Sequence, residues 1–151
     1  MKKKKIYIDE ETEVNLLIWD TQGEEKFMSV TNQYYADSHG IMILFDLSKK
    51  YSFLKIDKLI KDVKCNAPKD VVIMIIGIKT YEQSLDLENE LQSYKDKYLY
   101  CEVNIKTGTN VSLAFENLTL KILENLREKK ILLKENIERR DIIPLSKIKE
   151  K

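Results

Sequence analysis

The chain is poor in the residues that carry most small-molecule chemistry. Its two cysteines, Cys65 and Cys101, stand in no CxxC spacing and near no histidine cluster, which speaks against a metal centre or disulfide framework and for reduced thiols. The one histidine, His39, has no Ser or Cys motif to serve as a general base and reads as a loop residue. Four glycines and two prolines form no glycine-rich linker, and no internal repeat is present. No stretch reaches the roughly 18 consecutive apolar residues of a membrane span, and no apolar run follows the first lysines as a secretory leader requires. The final LSKIKEK has no cysteine, so no prenyl anchor is expected. These absences predict a cytoplasmic protein. A formal net charge of +1 gives no basis for a nucleic-acid partner.

What is present describes one soluble globular unit: 151 residues, 43% apolar and 34% charged. The run Lys2 to Lys5 leads into Ile6 and Ile8 with a period of two. This is the pattern of an edge strand whose lysines keep it from pairing with other chains.

Residues 3–8 and 13–19 are strand-like runs joined by the short polar Asp9 to Thr12, which predicts an antiparallel hairpin. Lys26 to Asp37 carries Phe27, Val30, Tyr34 and Tyr35 at the spacing of a short, partly irregular helix. Ile41 to Phe45 and Val71 to Ile76 are continuously apolar, and end at Asp46 and Gly77. Such runs predict strands buried on both faces, as in a parallel sheet. Helices are predicted over Tyr51 to Asn66, closed by Pro68, over Ser84 to Lys95, and over Val111 to Leu126; Tyr98 to Val103 is a last short strand. Past Arg127 the chain is rich in Lys, Glu and Ile and contains Pro144, which predicts a frayed helical extension. The boundaries are therefore a domain over 1–127 and a charged, partly helical tail over 128–151. Alternating strands and helices imply an α/β domain whose ligands bind at the carboxyl ends of the strands, where Asp20, Asp46, Gly77 and the residues after Val103 lie.

The strongest functional signal is Ile18 to Phe27, IWDTQGEEKF, an apolar run ending in Trp19 and followed by Asp20 and Gly23. With its neighbours it resembles the Rab-type small GTPases of the Ras superfamily. LLIWDTQGEEKF matches the family's LQIWDTAGQERF, and YYADSHGI at Tyr34 to Ile41 matches YYRGAHGI. LFDLSKKYSF at Leu44 to Phe53 matches VYDVT-x-x-x-SF, and NIKTGTNVSLAF at Asn104 to Phe115 matches SAKTGTNVxxAF. The resemblance runs in order over nearly the whole chain up to Arg127.

It implies GTP or GDP and Mg2+ as cofactors, with Asp20 holding a metal-bound water and the Gly23 N–H meeting a γ-phosphate. Glu24 stands where the family has the Gln that orients the attacking water; beside a triphosphate its charge is repulsive, so hydrolysis is expected to suffer. Guanine recognition by N-K-x-D falls on Ile78, Lys79, Thr80 and Tyr81, so Lys79 remains while both polar readers are gone. S-A-K becomes Asn104, Ile105 and Lys106. Lys79 and Lys106 read either as nucleotide contacts or as ordinary loop lysines.

No G-x-x-x-x-G-K-[ST] occurs, and MKKKKIY aligns with FKVKTIY at the family's second strand. The expectation is an incomplete small-GTPase domain, P-loop NTPase-like, N-terminally truncated. It has a mostly parallel sheet with helices on both faces and lacks the family's first strand, phosphate loop and first helix. Since that strand lies between the family's third and fourth, strands 13–19 and 41–46 are each expected to expose an edge unless they close on one another. Marginal stability and self-association through those edges follow.

Two functions remain. One is a degenerate Rab-like protein of membrane traffic with weak or no GTP binding and hydrolysis, peripheral at membranes through effector or regulator proteins. Its surface would be Trp19, Phe27 and Tyr34, with Met1 at the third position of the family's aromatic triad. The alternative is a GTP-hydrolysing switch whose phosphate loop lies upstream. For Tyr35, core packing is the favoured reading.

Overall fold

The computed structural model describes residues 1–21, 34–80 and 86–140, with 134–140 described for their backbone only. Its elements are β1 (Lys2–Tyr7), β2 (Glu13–Ile18), β3 (Gly40–Asp46), α1 (Lys50–Phe53), α2 (Ile56–Asn66), β4 (Val72–Lys79), α3 (Glu88–Lys95), β5 (Leu99–Asn104) and α4 (Val111–Arg140).

The strands form two sheets among the described residues. β1 and β2 make the expected antiparallel hairpin, with Lys2 opposite Ile18 and Tyr7 opposite Glu13. Its turn closes through Asp9, whose Oδ1 accepts the N–H groups of Glu11 at 2.9 Å and Thr12 at 2.6 Å. β3, β4 and β5 make a parallel sheet with β4 in the middle. β2 and β3 do not close on one another, so each keeps an edge to which no described strand is joined.

Alternation along the parallel strands divides their side chains between two apolar layers. Ile43, Phe45, Ile73 and Ile75 pack under Phe53 of α1, Ile56, Ile60 and Val63 of α2 and Leu91 of α3. Val72, Met74, Ile76, Cys101 and Val103 pack against Ala114 and Leu118 of α4. Helices therefore cover both faces, as the apolar runs demand. Gly40 lets α4 approach: a Cβ there would lie 2.7 Å from Ile122 Cδ1. Cys65 and Cys101 are both free thiols.

Three expectations are corrected. β4 is buried on both faces, but β3 is not throughout: Leu44 is 54% exposed, because α4 meets β3 at Gly40 and Met42 and leaves the strand's Leu44 end open on that face. β4 also does not end at Gly77; it continues to Lys79 because Ile78 and Lys79 still pair with Val103 and Asn104 of β5. Gly77 is thus a residue within the strand. The predicted helix over 51–66 is two, α1 and α2, interrupted at Leu54 and Lys55. Ser52 explains the interruption: its hydroxyl bonds Lys49 C=O at 2.8 Å and also both backbone groups of Asp46, holding α1 against the end of β3.

The last helix continues past Leu126 to Arg140 without a break. Beyond Arg127 it still touches the body, where Lys129 Nζ meets Asp70 Oδ2 at 2.9 Å. The helix predicted over Lys26 to Asp37 is described only at its end, where residues 34 and 35 are helical. No helix among the described residues is long and apolar enough to cross a membrane.

Candidate functional site

Asp20, Trp19 and Tyr34 lie around the exit of the hairpin. The alternation of β2 places Trp19 on the same face as Leu17, and Trp19 is 48% exposed. Its ring stacks on Tyr34, with centroids 4.7 Å apart and planes at 24°. Tyr34 is held by the turn that follows it, its C=O accepting Ser38 Oγ at 2.5 Å and the Tyr35 C=O accepting Ser38 N–H at 3.1 Å. The stack therefore ties the hairpin to the segment that enters β3, and it leaves the outer part of the indole open. Met1 is 64% exposed and sits next to the Lys2–Ile18 pair, at the same end of the hairpin as Trp19. Tyr35 packs against the apolar layer under α2, as expected, and burial followed by the charge of Asp62 pushes its hydroxyl up.

Asp20 is exposed at the end of β2. Gly23, Glu24 and Phe27 lie outside the described residues, as does Tyr81. The described residues contain no group of three or more His, Cys, Asp or Glu placed to hold a metal ion. Asp20 suits the single carboxylate that orients a water on Mg2+.

Lys79 and Lys106 are brought to one end of the parallel sheet. Lys79 closes β4 opposite Asn104, and Asn104 Oδ1 accepts the N–H groups of Lys106 at 2.9 Å and Thr107 at 3.1 Å. The loop after β5 is closed by its own groups. Thr107 and Thr109 hydroxyls are 2.7 Å apart, Asn110 Nδ2 donates to Glu102 C=O at 2.9 Å, and Gly108 and Asn110 take φ of 75° and 63°. The T-G-T-N segment thus has a local structural role, with glycine and asparagine at the two left-handed positions that favour them.

Ile78, at the family's Asn position, is half-buried against the α4 layer. An apolar side chain packed there offers a purine no hydrogen bond. Nearby, a cleft of about 420 Å³ is lined by Asp86, Glu88 and Glu102 besides Lys95 and leucines, an acidic lining that disfavours phosphate.

Asp46 and Asn104 are named in the sequence as strand-end residues, but their part in organising this edge was not read from it. Asp46 holds its own turn, its Oδ1 accepting Ser48 N–H at 2.9 Å and Ser48 Oγ at 2.7 Å, and those bonds keep its carboxyl below the usual range. Asn104 does the same after β5. The signal for both was an Asp or Asn closing an apolar strand with Ser or Thr two or three residues on, the pattern of an Asx turn.

The model of the Ras family matches residues 1–124. The chain is similar to Ras-related protein Rab-26 of Bos taurus, 41% identical over 106 residues, which cover 68% of this chain and 41% of that protein. It is 37% identical over 119 residues to Ras-related protein Rab-37 of Homo sapiens, covering 75% and 52%. Ras and EF-hand domain-containing protein of Danio rerio is 29% identical over 132 residues, 82% of this chain and 20% of that protein. The chain thus spans roughly half or less of the length of these relatives. With the parallel sheet, its helical layers and the motifs in order, the match shows that this chain belongs to the Ras family, as a Rab-type small GTPase.

Proposed function

We propose that this Rab-type chain serves membrane traffic as a protein-binding module. It acts through the surface around Trp19 and Tyr34, with Phe27 as a further contact, and binds nucleotide weakly or not at all. The observation that carries this reading is the Trp19–Tyr34 stack, a rigid aromatic platform left half open to solvent. Platforms of this kind are where binding energy concentrates in protein interfaces. Weak nucleotide binding is supported by Ile78, which turns an apolar side chain inward where a base needs a polar one. In this reading residues 1–127 are the binding domain and 128–151 a charged tail that begins within α4. Partners are effector or regulator proteins, and the protein is cytoplasmic and meets membranes peripherally through them.

The second reading is a GTP-binding and GTP-hydrolysing switch, with Asp20 holding the Mg2+ water, Gly23 the γ-phosphate, Glu24 beside the attacking water, and Lys79 and Lys106 at the base. It is favoured by the exposed position of Asp20 at a strand exit and by Lys79 and Lys106 sharing one end of the sheet.

Titration of the 151-residue protein with labelled GTP and Mg2+ separates the two. The expected result is no binding tighter than roughly millimolar. Micromolar binding that is lost in Asp20→Ala establishes the switch instead.

A further inference from the structure

Charge is unevenly spread over this molecule. Lys49 to Lys69 holds seven lysines against two aspartates, in a chain whose formal net charge is +1. The segment comprises α1, α2 and the turn that follows, on the face of the parallel sheet opposite α4. α2 turns Ile56, Ile60 and Val63 into the core, so its other side faces outward, and there Lys61 and Lys64 are exposed. The two acids are engaged with tyrosines. Tyr94 Oη donates to Asp57 Oδ1 at 2.8 Å, and Asp62 is half-buried with its charge bearing on Tyr35.

Lys55 and Lys64 lie over aromatic rings, 4.4 Å from the centroid of Tyr51 and 5.4 Å from that of Tyr98, contacts that leave each ammonium charged. Apolar groups stand at the start of the same surface, where Tyr51 is 71% and Leu54 65% exposed. The lysine run of the hairpin differs: Lys5 meets Glu13 at 2.8 Å, and Asp9, Glu10 and Glu11 follow in the turn, so its charge is balanced nearby.

We infer that the outward side of α1 and α2 rests directly on an anionic lipid surface, in addition to any membrane contact made through a protein partner. Three features favour lipid over an acidic polypeptide or a nucleic acid. All the cations of the segment are lysine and none is arginine, which suits a diffuse field of negative charge better than a bidentate grip on one carboxylate or phosphate. The lysines follow the convex side of a helix, which meets a plane along its length but does not enclose a strand. Tyr51 and Leu54 supply the amphipathic ring and the aliphatic chain that settle at headgroup level. The inference depends neither on nucleotide nor on the Trp19–Tyr34 surface.

The test is co-sedimentation of the 151-residue protein with vesicles of phosphatidylcholine alone and of phosphatidylcholine mixed with phosphatidylserine. Binding to the mixed vesicles is tighter by about tenfold or more, and it weakens as salt is raised. Lys61→Glu combined with Lys64→Glu weakens it by about tenfold or more, because reversal both removes attraction and adds repulsion. Lys2→Glu combined with Lys3→Glu, on the hairpin, changes it by less than about twofold. Leu54→Ser weakens it about threefold and leaves its salt dependence in place, which separates the apolar anchor from the field. Amide exchange at β4 is unchanged in each variant, which shows that each is folded. Equal binding to neutral vesicles, equal loss in the hairpin and α2 variants, or no binding at all overturns the inference. So does binding of soluble polyglutamate or of an oligonucleotide that the α2 variant abolishes while vesicle binding is unaffected, which assigns this side to another macromolecule.

Discussion

In the parallel sheet Ile75 has no exposed surface and lies among helices, whereas in the hairpin only Ile6 is buried. The sheet is held by two apolar layers. Among the described residues the hairpin's contacts with the rest include Trp19 on Tyr34, Lys4 Nζ 5.2 Å from the Phe115 ring centroid, and the charge of Arg127 near Asp9. The difference teaches where cooperativity resides. Contacts shared among many neighbours open together, while a unit tied by two or three contacts opens on its own at lower free energy.

The largest effect that tests this contrast is a matched truncation. Ile75→Ala should cost about 3 to 4 kcal/mol in urea unfolding, while Leu17→Ala, at a position 59% exposed, should stay within about 0.5 kcal/mol. Similar values for the two would mean that the hairpin is as cooperative as the sheet.

Trp19→Ala sharpens the contrast. The lost stack is worth about 1 kcal/mol and acts on the hairpin's attachment. Hydrogen exchange at the β1–β2 ladder should quicken while exchange at β4 does not. A uniform acceleration would show that the stack belongs to the global unit.

The smallest effect is acidic. Asp46 in the body and Asp9 in the hairpin are both held below the ordinary aspartate value of 3.8, Asp46 first by the Ser48 hydroxyl and Asp9 first by Thr12. A depressed folded pKa contributes stability that is present above the ordinary value and lost as pH falls through the lower, folded one. The melting temperature should therefore drop below about pH 4, and less in Asp46→Asn, whose turn no longer titrates. A pH profile unchanged by that substitution would remove Asp46 from the account.

Much of the site was legible for a simple reason. Trp19, Asp20 and Tyr34 lie in local motifs, and the apolar runs before Asp46 and Gly77 announce the strands that bring loops to one end. The double role of Ser52 and the break in the helix after it were not legible, because both depend on a hydroxyl reaching back to the end of β3. Leu44 was misread as buried since an apolar residue in an apolar run carries no mark of how far a distant helix extends.

The sequence by itself determined the family, the order and direction of the elements, the antiparallel hairpin through its short polar turn, and the aromatic pair as a candidate surface. These are local matters of periodicity, turn chemistry and motif. Tertiary structure alone decided that β2 and β3 stay apart, that α4 covers β4 and β5 but not Leu44, and that Trp19 stacks on Tyr34 with its outer part open. Each of these depends on which distant groups compete for the same space, and one-dimensional spacing does not contain that information.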